Sequence, residues 1–311
     1  MAEPILHHYP NSPFAEKIRL VLGYKGIAWR SVHIPMMMPK PDLTALTGGY
    51  RRTPVLQIGA DIYCDTALIC EVLEHLQPQP TLYPQGSKGL SRVLGQWADD
   101  AVFPVAMAWN FKPEAAAMIF EGMSPETVKA FVADRTAMRL GAPRMLPADA
   151  AATYKSYLRR LSSMLEAHDF LLGDRPCLAD FCAYHPLWFT ADRVPPVAWI
   201  LDATPRVRQW LDRMKAIGHG RFTPMDAQQA LAVSAASQPL ALSAEPFQDE
   251  HGIALGSRVS VAASHFGPEP TEGELIAATR TRYTLRRSDP RAGTVHVHFP
   301  RVGFTMKKVA T

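Results

Sequence analysis

The chain has 311 residues, 47% of them hydrophobic and 20% charged, and a net charge of +4. That length exceeds one ordinary core, so two or three domains are expected, and the composition excludes a disordered chain. So mild a charge makes no case for nucleic acid, and no run reaches the ~18 apolar residues of a membrane-spanning helix.

The opening stretch, MAEPILHHYP, lacks a basic segment followed by a long apolar run, so no signal peptide is expected, and the cytoplasm is the expected compartment. ILHHY reads as a short strand, on which the neighbours His7 and His8 point to opposite faces and cannot share a metal. PFAEKIRLVLGYKG reads as a helix: Phe14, Ile18, Val21 and Leu22 follow its period, and Gly26 ends it. WRSVHIP alternates as a strand, and Met36, Met37 and Met38 are expected to line a loop against the core. TPVLQIG and DIYC are short strands around the turn IGAD, and DTALICEVLEHL is a helix with its acid at the start. Residues 1–80 thus read as a small α/β domain.

QPQPTLYPQGSKG has the Pro and Gly content of a linker, and residues 86–225 carry helical patterns throughout. Met107, Trp109 and Phe111 follow one of these helices, either as pocket wall or as core. The four cysteines, Cys64, Cys70, Cys177 and Cys182, sit in apolar contexts at spacings that match neither a zinc site nor a redox pair, so they read as buried thiols. After the Ala- and Ser-rich MDAQQALAVSAASQPLALSAEP, residues 246–311 change character, with β-branched and polar residues alternating between Gly and Pro turns. This small antiparallel β extension carries nine Lys or Arg against six Asp or Glu, most of the net charge. Its stripe of Arg280, Arg282, Arg286 and Arg287 reads as a solvated or partner-facing strand ahead of a nucleic-acid surface, and His296 and His298 share a face but read as exposed strand histidines ahead of metal ligands. The extension is expected to pack on the helical domain or across a dimer interface.

Chemistry concentrates in the first domain. Ser12 precedes Pro13, a residue favoured at the first position of a helix, so Ser12 is the N-cap: a plain cap, or a hydroxyl aimed at a ligand. Thr53-Pro54 opens a strand at a place where backbone is left free to pair with something extended. Asp65-Thr66 begins another helix, whose N-terminal amides could hold a carboxylate.

Taken together, SPFAEKIRL, RRTPVLQIG, CDTALICEVLEH and the G-D-x-x-x-x-A-D stretch from Gly173 to Asp180 in LLGDRPCLADFCAYHPLW resemble the glutathione transferase superfamily over residues 4–220. The resemblance implies a thioredoxin-like first domain, a helical-bundle second domain, and glutathione as co-substrate. In the classes with Ser at the start of the first helix that hydroxyl faces the sulfur, here Ser12, with Tyr9 as runner-up. Thr53 would pair with the cysteinyl part, with Pro54 as the cis-proline, and Asp65 and Thr66 would hold the γ-glutamyl end. Arg51 or Arg52 would lie near the glycyl carboxylate, although TGGYRRTP lacks the Asn-Pro-x-Gly common there. Cys177 stands where the helical domain's capping box usually has Ser or Thr. The function so implied is attack of a glutathione thiolate on a small electrophile, as in detoxification, by a homodimer without metal, membrane or nucleic-acid partners. The competing function is a non-catalytic binding protein of the same fold, with the extension as its interaction module. On the transferase reading the extension is expected to be dispensable for thiol activation and for glutathione binding.

Overall fold

A computed structural model of the chain describes residues 2–84, 86–143, 145–242, 244–248 and 250–309. The N-terminal part runs β1 (Ile5–His8), α1 (Pro13–Lys25), β2 (Trp29–His33), α2 (Pro41–Thr47), β3 (Val55–Ile58), β4 (Asp61–Cys64) and α3 (Thr66–Leu76). β1 pairs in parallel with β2 and antiparallel with β3, which pairs antiparallel with β4. Strand alternation sends Leu6, Leu56 and Ile58 to a core shared with α1 and α3, and Ile5, Val55 and Ile62 to a second core on the other face. This is the expected thioredoxin-like arrangement. Helix α2 is an addition to the sequence reading: at 7 residues it is too short for periodicity to reveal, and Gly48 ends it at φ 80°. Met38, expected against the core, is 38% exposed.

The helical layer comprises α4 (Lys88–Trp97), α5 (Phe103–Asn110), α6 (Pro113–Ile119), α7 (Pro125–Met138), α8 (Pro147–Met164), α9 (Leu178–Trp188) and α10 (Pro205–Ala216). Between α4 and α5 the backbone widens into a π-helical turn over Ala98–Val102, just ahead of Pro104, which has no N–H for the preceding turn. Helix α9 is buried along its whole length and packs against α1, joining the two layers.

The chain leaves the helices before residue 225. β5 (Phe222–Met225) pairs in parallel with β2, and α11 (Ala227–Ala235) covers the sheet face that α2 also covers. The extension is an antiparallel set of five strands, β6 (Arg258–Ala263), β7 (Thr271–Ala278), β8 (Arg282–Asp289), β9 (Gly293–Pro300) and β10 (Phe304–Lys308). It does not form a separate body on the helical domain. β9 pairs in parallel with β4, Asp61 opposite His296 and Tyr63 opposite His298, giving one sheet of ten strands in the order β10-β6-β7-β8-β9-β4-β3-β1-β2-β5. The physical reason is the edge of β4, a row of hydrogen-bonding groups that would otherwise face water. Val295, Val297 and Phe299 add to the α2-side core, so residues 1–80 and 246–311 share both a sheet and a core. The two outer edges carry Lys307 and Lys308 on β10 and Pro224 on β5, residues that discourage further pairing.

Candidate functional site

Ser12 stands where β1 has ended and α1 begins. Its N–H donates to the Tyr9 carbonyl at 3.1 Å, and its Oγ accepts from the Ala15 N–H at 3.2 Å. Capping therefore uses a lone pair of the hydroxyl, and the hydroxyl proton remains available to a further acceptor. The residue is 2% exposed, in surroundings that strengthen whatever bond that proton makes. One turn along, the fully buried Lys17 ammonium lies 2.6 Å from Asp99, whose other oxygen is 2.9 Å from His185 Nε2. Burial pushes Asp99 up, but Lys17 and His185 outweigh it and hold the carboxyl below the usual range. Burial lowers His185 to about 4, so the ring is neutral at pH 7 and packs as an aromatic against Phe14 at 4.5 Å and Phe103 at 5.6 Å. The start of α1 is thus tied to the helical layer through α9 and the π-helical turn.

The Thr53–Pro54 peptide is cis. Among the described residues, the Thr53 N–H and carbonyl bond to no other backbone group. Lys40, the residue before α2, donates to Thr53 Oγ1 and to the Arg51 carbonyl, both at 3.1 Å. It is 4% exposed and, among the described residues, pairs with no carboxylate; burial, with help from the Arg135 charge, brings its ammonium down to about 8. Asp65 caps α3 at φ 77°, its Oδ1 accepting from the Ala67 N–H at 2.9 Å, and Thr66 behind it is 6% exposed. Burial raises the Asp65 carboxyl, and Arg52, 3.6 Å away, works against that shift.

The two arginines differ. Arg51 is enclosed by Asp134 of α7 and Glu269 of the extension. Arg52 Nε donates to the Phe266 carbonyl, its guanidinium lies 5.6 Å from the Phe304 ring, and it faces Asp65. Tyr9, the alternative hydroxyl, sits 3.5 Å from Arg135 Nη2. Sequence spacing does not reveal Lys40, Asp99, Arg135 or Glu269, because each reaches the site from a different element.

The remaining sequence candidates take other roles. Trp109 is core, 1% exposed, its indole donating to the Val197 carbonyl at 3.0 Å, whereas Phe111 is 38% exposed in an aromatic group with Phe120 and Phe131. Cys177 still forms a capping box with Asp180: its sulfur faces the Asp180 N–H, and its own N–H and thiol donate to the Asp180 carboxylate at 2.9 and 3.1 Å. All four cysteines are buried and unbridged, and burial pushes Cys70 and Cys177 up to about 12. A groove of about 920 Å³ lies on the extension, away from Ser12, but its arginines are engaged. Arg258 pairs with Glu272, Arg286 with Glu274, and Arg287 donates to the last carbonyls of α2. His298 Nε2 lies 2.9 Å from Asp61, fastening β9 to β4. Among the described residues no cluster of His, Cys, Asp and Glu could hold a metal ion, and no helix is long and apolar enough to cross a membrane.

The family model described as "Glutathione S-transferase, N-terminal domain" matches residues 6–81, and "Glutathione S-transferase, C-terminal domain" matches residues 131–213. A crystal structure of a GST-like protein from Pseudomonas syringae is 43% identical, with 99% of this chain and 100% of that one covered at a TM-score of 0.84. The chain belongs to the glutathione transferase superfamily. The likeness to the Pseudomonas protein runs through the extension. FtsZ-localized protein A of Caulobacter vibrioides is 25% identical over 187 residues, 58% of this chain and 74% of that protein. A glutathione S-transferase from Rhodospirillum rubrum F11 shares the fold, at 22% identity over 68% of this chain and 88% of that one, with a TM-score of 0.51.

Proposed function

We propose that the chain is a glutathione-dependent transferase in which Ser12 stabilises the glutathione thiolate for attack on a small electrophile. The observation that carries this reading is the division of labour at Ser12: its lone pair caps α1 while its proton is free to bond a sulfur at the same helix start. Thr53, with its main chain unpaired beside cis-Pro54, would take the cysteinyl part, and Asp65 and Thr66 the γ-glutamyl end. Lys40 or Arg52 would then receive the glycyl carboxylate, since Arg51 is already enclosed by two acids. Bringing a thiol from about 8.5 to below neutrality needs ~2–3 kcal/mol of preference for the thiolate. A helix N-terminus offers ~0.3–2 kcal/mol. A hydroxyl bonded to the charged sulfur offers ~1.5–3 kcal/mol, so together they suffice. The thiol proton leaves to solvent, the sulfur forms the new bond, and the electrophile's leaving group departs or its multiple bond accepts the electron pair.

A homodimer fits this reading. Leu90 and Val93, one turn apart on α4, are 53% and 65% exposed, while Leu94, Trp97 and Gly95 pack against this chain's own core. Sedimentation that returned the monomer mass would remove that assignment. Detoxification in the cytoplasm is the corresponding setting.

The experiment is binding of glutathione by titration calorimetry, with turnover of a generic electrophile by wild type and Ser12→Ala. Turnover should fall about 10–100-fold, or ~1.4–3 kcal/mol, with affinity little changed. Equal turnover in the variant would reduce Ser12 to a cap. The second reading, a transferase-like binding protein without catalysis, is favoured by the likeness to FtsZ-localized protein A, whose name describes localisation rather than a reaction. Glutathione binding with no turnover of any electrophile would select it.

A further inference from the structure

Residues 264–270, which join β6 to β7, reach back over the start of β3. The Gly267 N–H donates to the Met138 carbonyl at the end of α7 at 2.8 Å, Glu269 pairs with Arg51, and the Phe266 carbonyl accepts from Arg52. Phe304 on β10 supplies the ring beside the Arg52 guanidinium. Both arginines before Thr53 are therefore held by the extension. From each, a second contact runs onward. The Arg51 carbonyl accepts from Lys40, which also donates to Thr53, and Arg52 faces Asp65.

We propose that the loop 264–270 is a working part of the glutathione site, and that Glu269 is a positioning residue acting through Arg51 on Lys40 and Thr53. This rests on the reading of Thr53 and Asp65 as glutathione contacts. Charge supports a positioning role for Arg51: a guanidinium between two carboxylates has little attraction left for a third, so it holds neighbours in place instead of holding ligand. Glu269 holds Arg51 through Oε1, and among the described residues its Oε2 is buried without a hydrogen-bond donor. The loop is also kept down by the Gly267–Met138 bond and by the close passage of Pro270 past Gly49. Removing the Glu269 carboxylate should consequently loosen Arg51 and leave the loop docked. The extension, expected from the sequence to be dispensable for glutathione, becomes part of its site.

The test uses the full-length protein. Glu269→Ala should weaken glutathione binding about 5–10-fold, with turnover at saturating glutathione within about twofold of wild type. Glu269→Gln keeps an oxygen that accepts from Arg51 and should lose only about twofold. Gly267→Ala perturbs the loop without touching any carboxylate. Gly267 has φ +62°, and an added Cβ would sit 2.9 Å from Met138 Cε and 3.4 Å from Arg51 Cγ. It should reproduce the affinity loss of Glu269→Ala. Unchanged affinity in both alanine variants, with only a lowered melting temperature, would make the loop purely structural and overturn the proposal. Tighter binding by Glu269→Ala would also overturn it, because Glu269 would then be competing with the ligand's carboxylate. Both outcomes presuppose a wild type that binds glutathione; a wild type that does not would overturn the transferase reading itself, and this proposal with it.

Discussion

The two flanks of the site are built from different materials. On one side, nine of the residues of α1 are buried, and the fully buried Lys17 and His185 lock it to the helical layer through the part-buried Asp99. On the other, α7 buries only Met138 and meets the extension through the ion pairs of Arg51 with Asp134 and Glu269. A buried pair is strong when intact and damaging when halved, whereas a part-exposed cluster is adjustable and open to salt. The flank that carries Ser12 is the rigid one, and the flank that carries Arg51 and Arg52 is the adjustable one.

The largest effect should come from halving the buried pair. Lys17→Met leaves the Asp99 carboxylate without its cation and should destabilise the fold by about 3 kcal/mol in chemical denaturation. Adding Asp99→Leu removes the stranded charge and should recover most of that loss; if it does not, packing and not charge dominates this flank. Acid should weaken the rigid side in a defined window. Burial lowers His8, beside Arg19 of α1, to about 3 and His185 to about 4, against ~6.5 in an unfolded chain. Between those values the unfolded chain binds protons that the folded one refuses, so stability falls as pH falls from 6.5 towards 4. Each ring contributes up to about 1.4 kcal/mol per pH unit. Denaturation midpoints that stayed level from pH 7 to 5 would contradict this.

Arg51→Met should cost about 2 kcal/mol, less than Lys17→Met, because Asp134 and Glu269 are left together but not sealed from water: the Glu269 side chain is 37% exposed. In 1 M NaCl, where the screening length is ~3 Å, the gap between Arg51→Met and wild type should shrink and the Lys17→Met gap should persist. Equal salt responses would erase the distinction between the flanks. The smallest change is expected at Arg286→Ala, which removes an exposed cross-strand pair with Glu274 and should alter stability by no more than about 0.5 kcal/mol in the same assay.

Much of this architecture is legible in the sequence because it is local. The strand alternation of residues 5–8 and 55–64, the Ser12-Pro13 helix start and the Asp65 helix start follow from patterns a few residues long, and the cis state of Pro54 was implied by the resemblance to the family. Helix α2 and strand β5 escape detection because each is too short for periodicity to stand out. Choosing between Arg51 and Arg52 was equally out of reach: both carry the same charge in the same stretch, and only their distant partners separate them.

By itself the sequence determined the α/β and helical halves, the strand-rich extension and the residues that open α1 and α3, since propensity, capping and side-chain period act over one or two turns; the family came from the resemblance of its motifs taken as a set. Only the tertiary structure decided where the extension went. Hydrophobic alternation marks β9 as a strand but does not name its neighbour, and the pairing of Asp61 with His296 and Tyr63 with His298 joins residues more than two hundred positions apart. The same holds for Glu269 at Arg51 and Asp99 at Lys17, contacts between elements that no local pattern connects.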